Sequence, residues 1–124
     1  MKKAIILAFG LMAAGQVFAG NVCTNGVPSG ARINSGTVPT YSVLTGGSGF
    51  VVTSFPVKCS ANVEASVDEN PVAFAIGALS LRGTGWFEGS SGGGAIRLAG
   101  SCTGQCVAGQ EAGGLSTLLT NATP

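Results

Sequence analysis

Apolar residues recur at every second position in several short segments of the chain, which turn residues separate. Residues 61–67 alternate throughout, with alanine and valine on one face and asparagine, glutamate and serine on the other. This period is typical of a half-buried β-strand. The next residues, Asp68 to Pro71, predict a solvated turn. The apolar run from Val72 to Leu81 then predicts a strand covered on both faces or a short buried helix. We therefore predict a hairpin here.

Two further pairs of strands follow from the same reasoning. Residues 41–45 and 50–58 predict strands joined across a glycine-rich connection, and Pro56 places the end of the second strand at a sheet edge or bulge. Residues 85–88 and 95–99 predict another pair on either side of a flexible glycine and serine segment.

The two ends of the exported part show little alternation. Residues 24–39 predict an irregular arm, and residues 113–124 predict a frayed tail with one helical turn around 115–119. Short strands, glycine-rich turns and the lack of a long amphipathic helix predict an all-β fold. We expect a small disulfide-stapled sandwich or open barrel.

The chain begins with the pattern of a secretory signal peptide. Lys2 and Lys3 precede an apolar run from Ala4 to Ala14, and small or apolar residues lead up to Ala19. A membrane span needs roughly 20 apolar residues, more than this run contains. We predict a signal peptide over residues 1–19, cleavage between Ala19 and Gly20, and a single exported domain over 20–124 without a transmembrane span. Periplasm, outer surface and extracellular medium all remain open as its location.

Composition excludes several classes of function. The chain has no histidine, which removes Ser-His-Asp and Cys-His catalytic sites and zinc sites with imidazole ligands. The 105 residues after the signal carry four basic and five acidic side chains, and this balance gives no electrostatic footprint for nucleic acid. With 45% hydrophobic and 9% charged residues, the chain is not of the disordered type. Because proton-transfer groups are so few, we expect no enzyme, metal or cofactor.

Four cysteines lie in the exported part, and an even number in an exported chain indicates disulfides. Three pairings are possible, of which we favour Cys23 with Cys59 and Cys102 with Cys106, because Gly104 can form a tight turn within the second pair. A site with four thiolate ligands would need close C-x2-C pairs, which the isolated Cys23 and Cys59 do not provide.

Few residues suggest a binding site. Trp86 and Phe87 are adjacent, so alternation turns one ring inward and the other outward, and Trp86 either anchors the core or offers a stacking surface. Arg82 and Arg97 are near in sequence and would supply charge. The adjacent carboxylates Asp68 and Glu69 lie in the predicted turn, where they would meet water rather than face one another across a cleft.

The spacing of Cys23 and Cys59 in an exported chain rich in alanine, glycine, serine and threonine resembles that of bacterial chaperone–usher pilin subunits. The resemblance implies a cysteine pair joining the first two strands and completion of the fold by a strand from a neighbouring subunit. The chain departs from the family in its second cysteine pair and in the lack of an alternating last strand with a penultimate tyrosine. The family is therefore not assigned.

These features lead to two hypotheses. The first is a structural or adhesive cell-surface protein that associates with copies of itself or with another envelope protein. The scarcity of charge supports it, and so does the uncharged run Pro71 to Leu81, which would pair readily with another strand if it lay at a sheet edge. The alternative is a small periplasmic or secreted binding module, an inhibitor or a carbohydrate or protein binder. It would use the Trp86 region or the Cys102–Cys106 loop.

Mass spectrometry of the exported protein tests the processing and the cysteine assignment together. We expect a non-reduced mass that starts at Gly20 and is lower by four hydrogens than the reduced chain, because both pairs are oxidised. Free thiols at Cys23 or Cys59 would contradict the assignment.

Overall fold

A computed structural model describes residues 18–30, 32–34, 36–43 and 49–124. These residues form an open, sandwich-like all-β fold of two antiparallel sheets, as predicted. The larger sheet consists, in spatial order, of β2 (Val27–Pro28), β1 (Phe18–Thr24), β6 (Val63–Glu69), β7 (Phe74–Ser80), β8 (Gly85–Ser90) and β9 (Arg97–Ser101). The smaller sheet consists of β3 (Ile33–Asn34), β4 (Thr40–Tyr41) and β5 (Phe55–Pro56). A 3-10 helix (Gln110–Ala112) and α1 (Leu115–Ala122) follow β9.

The predicted hairpin is the centre of the larger sheet. β6 and β7 pair without interruption from Val63 opposite Ser80 to Glu69 opposite Phe74. β7 also pairs with β8 along its other side, so the apolar run is a central strand and not an edge. The turn between β6 and β7 is held by Asn70, whose side-chain oxygen accepts hydrogen bonds from two backbone N–H groups within it.

The other predicted pairs also form, with different bounds. β4 and β5 pair over two residues each, and the expected glycine-rich connection at 46–49 lies outside the described residues apart from Gly49. β5 is an edge strand, where the missing N–H of Pro56 is tolerated. β8 and β9 pair with a register shift between Trp86 and Phe87.

Regular structure is present in two segments predicted to lack it. The arm at 24–39 carries β2, which pairs with β1, and β3, which pairs with β4. The β1–β2 hairpin forms because Asn25 and Gly26 adopt φ of 48° and 79°, the left-handed pair of a tight hairpin turn. A Cβ at Gly26 would lie 2.7 Å from the Cα of Ala61, so the position needs glycine. The tail is not frayed over 115–122, because Leu115 and Leu119 of α1 are buried against Ala73 and Ala75.

The main core lies between the two sheets. It contains buried apolar residues from β1, β4, β6 and the segment after β5: Val22, Cys23, Tyr41, Val57, Ala65 and Val67. The disulfide between Cys23 and Cys59 crosses this core and joins the end of β1 to the segment between β5 and β6, with a Cα–Cα distance of 5.9 Å. The second disulfide joins Cys102 to Cys106. These are the favoured pairings.

β6 is covered on both faces, so the half-buried strand expected from its alternation is wrong. Glu64, Ser66 and Asp68 face the side of the sheet that α1 and the 3-10 helix cover, and each is 3% exposed. The solvated turn expected at Asp68 and Glu69 is also wrong, because both residues belong to β6 and are buried. The polar residues of β6 do not indicate exposure to solvent here, because another element covers the face on which they lie.

Glu69 is fully buried at the junction of the two sheets. One carboxylate oxygen accepts hydrogen bonds from the Tyr41 hydroxyl at 3.0 Å and pairs with the Arg32 guanidinium at 2.7 Å. The other accepts the backbone N–H groups of Phe50 and Val51 at 3.1 and 3.2 Å. Burial, reinforced by the Glu69 carboxylate, raises the pKa of the Tyr41 hydroxyl far above its ordinary value, so the phenol stays protonated and donates.

The predicted signal peptide, residues 1–19, lies outside the described residues apart from its last two. The backbone of Phe18 and Ala19 pairs with Glu69 and Asp68 at the start of β1. The predicted cleavage point between Ala19 and Gly20 therefore falls within a paired strand.

We predict that Glu69→Gln destabilises the domain by about 3–5 kcal/mol, because Arg32 is left buried without a counter-charge. Urea unfolding followed by circular dichroism measures the change. The matched control Arg82→Gln alters an exposed side chain and should change stability by less than about 0.5 kcal/mol. Equal stability of Glu69→Gln and the parent protein would contradict the role of the ion pair.

Candidate functional site

The larger sheet is covered unevenly, and this leaves one apolar surface open. The smaller sheet packs over β1, β6 and part of β7, where Ala78 still contacts the core. The register places Phe87 and Leu98 on the same face as Ala78, further along the sheet. Phe87 is 50% exposed and Leu98 is 57% exposed. Among the described residues, no layer covers this face over β8 and β9.

Two isoleucines extend the open surface. Ile76 of β7 and Ile96, just before β9, line a shallow cavity of about 130 Å³ together with Phe87 and Ala78. Ile96 is 75% exposed and Ile76 is 37% exposed. We call the surface formed by Ile76, Phe87, Ile96 and Leu98 the open half-sheet. Contiguous apolar surface of this kind marks an interaction site more often than scattered exposed residues do.

The open half-sheet borders a strand edge. β9 is the last strand of the larger sheet and pairs only with β8 among the described residues. An edge strand presents unpaired N–H and C=O groups that another strand can complete. Arg97 carries a charge at this edge, but its side chain turns to the opposite face of the sheet and pairs with Glu88.

Trp86 lies on that opposite face. Its six-membered ring packs over the backbone of Gly100 in β9, and a Cβ at Gly100 would overlap the ring. The indole is half-buried and lines a cleft of about 340 Å³ between the sheet and α1. Thr117 and Asn121 of α1 line the opposite wall of this cleft. Trp86 is thus not a core anchor, and Phe87 faces the other way, as alternation predicts.

An ion pair lies at the base of the same cleft. Both Nε and Nη2 of Arg97 donate to one carboxylate oxygen of Glu88, at 3.0 and 2.7 Å. The second oxygen of Glu88 faces Gly114 at the N-terminus of α1, where the helix dipole favours a negative charge. Arg97 therefore converges with Trp86, whereas Arg82 is exposed and does not line the cleft.

The Cys102–Cys106 loop is fixed to the turn between β7 and β8. The N–H groups of Cys102 and Cys106 donate to the carbonyl oxygens of Thr84 and Gly83, at 2.8 and 2.9 Å. Cys106 is buried, and residues 103–105 between the two cysteines are exposed. The loop is therefore an anchored, solvent-facing projection beside the end of β9.

All five carboxylate side chains of the protein are buried, a feature that the sequence analysis missed. Asp68 and Glu69 lie in β6, and Glu88 pairs with Arg97. Glu64 accepts the N–H of Asn25 at 2.7 Å, and Glu111 accepts the Ser66 hydroxyl at 2.9 Å and the N–H of Gly109 at 2.9 Å. The exposed charged side chains of the described part are consequently all cationic: Lys58, Arg82 and Arg97. Amino-acid composition does not distinguish a buried carboxylate from a solvated one.

No set of three or more cysteine, aspartate or glutamate side chains in residues 18–30, 32–34, 36–43 and 49–124 is arranged to hold a metal ion. In the same residues, no helix is long and apolar enough to cross a membrane. Comparisons with models of protein families, with curated proteins and with solved structures find no match.

Proposed function

We propose that this protein is an exported structural or adhesive protein of the cell surface that associates with copies of itself, in the manner of a fimbria-like subunit. The observation that carries the proposal is the open half-sheet beside the outer edge of β9. A strand of a second copy can complete this edge, and its apolar side chains then lie beside Leu98 on the same side of the joined sheet. The signal-peptide pattern and the two disulfides support export.

A second copy fits this surface better than a charged partner does. The four residues of the open half-sheet are all apolar, so the surface is complementary to itself. Two β9 strands related by a two-fold axis would pair antiparallel and join the two larger sheets into one continuous sheet. Such a contact uses the same patch on both copies and closes at a dimer, so a fimbria-like assembly needs a second contact between dimers.

The distribution of charge favours the same conclusion. Burial of all five carboxylates leaves only three exposed cationic side chains in the described part. Net charge and its self-repulsion are what keep many proteins monomeric, and this surface has little of either. Association is therefore opposed mainly by the loss of translational and rotational freedom.

We predict that the chain from Gly20 onwards forms oligomers and that Leu98→Glu weakens their association at least about tenfold, because a carboxylate would be buried in an apolar contact. Size-exclusion chromatography with light scattering, over a range of concentrations, measures this. Val52→Glu is the matched control, since Val52 is 87% exposed and lies outside the open half-sheet.

Circular dichroism confirms that both variants remain folded. A parent protein that stays monomeric at millimolar concentration would contradict the proposal, and so would a Leu98→Glu protein that assembles like the parent. Loss of assembly in both variants would place the contact elsewhere.

The cleft beside Trp86 supports a second candidate function, the binding of a carbohydrate. An indole that offers one face to a cleft, with a fixed ion pair and the side chains of Thr117 and Asn121 around it, combines a stacking surface with hydrogen-bonding groups. Sugars need both, because one face of the ring is apolar while the hydroxyl groups are polar. The surface and the cleft lie on opposite faces of the sheet and do not compete.

Trp86 is the only tryptophan of the chain, so its fluorescence reports on the cleft directly. If the cleft binds sugars, titration with a panel of neutral and anionic oligosaccharides should shift the emission for at least one member. Asn121→Ala should then weaken that binding about three- to tenfold, the value of one hydrogen bond. Asn34→Ala, exposed and outside the cleft, should not. An emission that no member of the panel changes would remove this candidate.

A further inference from the structure

A cavity of about 290 Å³ lies between β1, β6 and α1, on the side of the larger sheet opposite the open half-sheet. Asp68 lines it and is 3% exposed, and the Oδ1 atom of its carboxylate has no hydrogen-bond partner within residues 18–30, 32–34, 36–43 and 49–124. Burial raises the pKa of the Asp68 carboxyl. A buried carboxylate oxygen without a donor is rare because it loses water and gains nothing in exchange.

The elements packed around Asp68 supply no positive charge. β1 contributes Asn21 and β6 contributes Ser66, whose hydroxyl lies 3.0 Å from the side-chain oxygen of Asn21 and 2.9 Å from a carboxylate oxygen of Glu111. The 3-10 helix contributes Glu111, a second acidic group, and α1 contributes Ser116. The site is therefore acidic and unneutralised among the described residues.

Gly20 lines the same cavity, and the register fixes where its nitrogen lies. Ala19 is opposite Asp68 and Gly20 is opposite Val67. The nitrogen of Gly20 belongs to the peptide between these two positions. Directly opposite Cα atoms in antiparallel strands are about 4.5–5.5 Å apart. Both residues line the same cavity, so we expect a free nitrogen at Gly20 to reach the Asp68 carboxylate after a small movement of the chain end.

We propose that this cavity is the binding site for the α-ammonium group that cleavage between Ala19 and Gly20 creates. Hydrolysis breaks the C–N bond and consumes one water: the carbonyl carbon of Ala19 gains its oxygen and becomes a carboxylate, and the nitrogen of Gly20 gains both of its protons and becomes an ammonium. The new cation then pairs with Asp68 and donates to its free oxygen. The inference rests on the export part of the proposed function and not on self-association.

Cleavage therefore reverses the way in which the contribution of Asp68 to the stability of the fold changes with pH. In the uncleaved chain the pKa of Asp68 is raised, so its contribution to stability is greatest in acid and falls as pH rises through that pKa. In the cleaved chain the ammonium lowers the pKa of Asp68 and Asp68 raises the pKa of the amine. The pair therefore stabilises the fold between these two values and is lost outside them.

A double-mutant cycle on the mature chain, at a concentration where it is monomeric, tests the proposal. The two changes are acetylation of the Gly20 amine and Asp68→Asn. We expect acetylation to raise the unfolding equilibrium constant about tenfold in the parent protein and less than twofold in Asp68→Asn. Glu64→Gln is the matched control: Glu64 is equally buried on the same face of β6, and acetylation should destabilise this variant as much as the parent.

The pKa of the Gly20 amine, measured by nitrogen-15 NMR, provides an independent readout. We expect it about one unit above the ordinary value of about 7.7–8.0, and at the ordinary value in Asp68→Asn. If Asp68→Asn does not fold, the amine pKa of the parent protein decides alone. An ordinary amine pKa, equal effects of acetylation with and without Asp68, or a mature N-terminus other than Gly20 would overturn the proposal.

Discussion

The contact of Glu69 with Arg32 and Tyr41 determines how the two sheets meet. Each sheet of the sandwich contributes to it: Glu69 ends a central strand of the larger sheet, Tyr41 belongs to the smaller one, and Arg32 immediately precedes β3. The strands of the smaller sheet are only two residues long, which gives them little stability of their own. The Glu69 carboxylate accepts from four donors at one point, and this fixes the position of the short strands. Apolar contacts alone would let these strands slide over the larger sheet.

The other carboxylates also bind groups within the fold, and this has a consequence for the surface. Glu64 fixes the turn after β1, Glu88 holds Arg97 near the start of α1, and Glu111 binds the 3-10 helix to β6 through Ser66. Because these groups act inside the fold, they are not available to keep the exterior soluble. An open apolar half-sheet on an exterior with few charges fits the self-association that we propose.

The pattern of apolar and polar residues predicted the elements that depend on contacts between residues close in sequence. The β6–β7 hairpin followed from strict alternation and an apolar run, and the favoured disulfide pairings followed from spacing and compartment. The short strand β2 depends on the Asn25–Gly26 dipeptide, a known turn signal within the segment that was predicted to be irregular. Helix α1 has eight residues and no side-chain cap, so only its packing against Ala73 and Ala75 reveals it.

The candidate sites were harder to predict because they depend on long-range contacts. Alternation separated Trp86 from Phe87 correctly, but nothing local shows that the smaller sheet stops before Phe87 or that α1 forms the far wall of the Trp86 cleft. Asp68 and Glu69 were misplaced for the same reason. The polar residues of a strand are usually solvated, and the partner of Glu69 comes from a distant arm whose sequence has no alternation.

The burial of every carboxylate is the claim on which the fold, the surface without exposed acidic side chains and the Asp68 site all depend. Carbodiimide-mediated coupling of a small amine, followed by peptide mass spectrometry, measures the accessibility of each side-chain carboxyl. In the native protein we expect Glu64, Asp68, Glu69, Glu88 and Glu111 to remain unmodified, and all five to react once the chain is unfolded in denaturant. Rapid modification of Glu69 in the native protein would contradict the structure of the sheet junction and the account built on it.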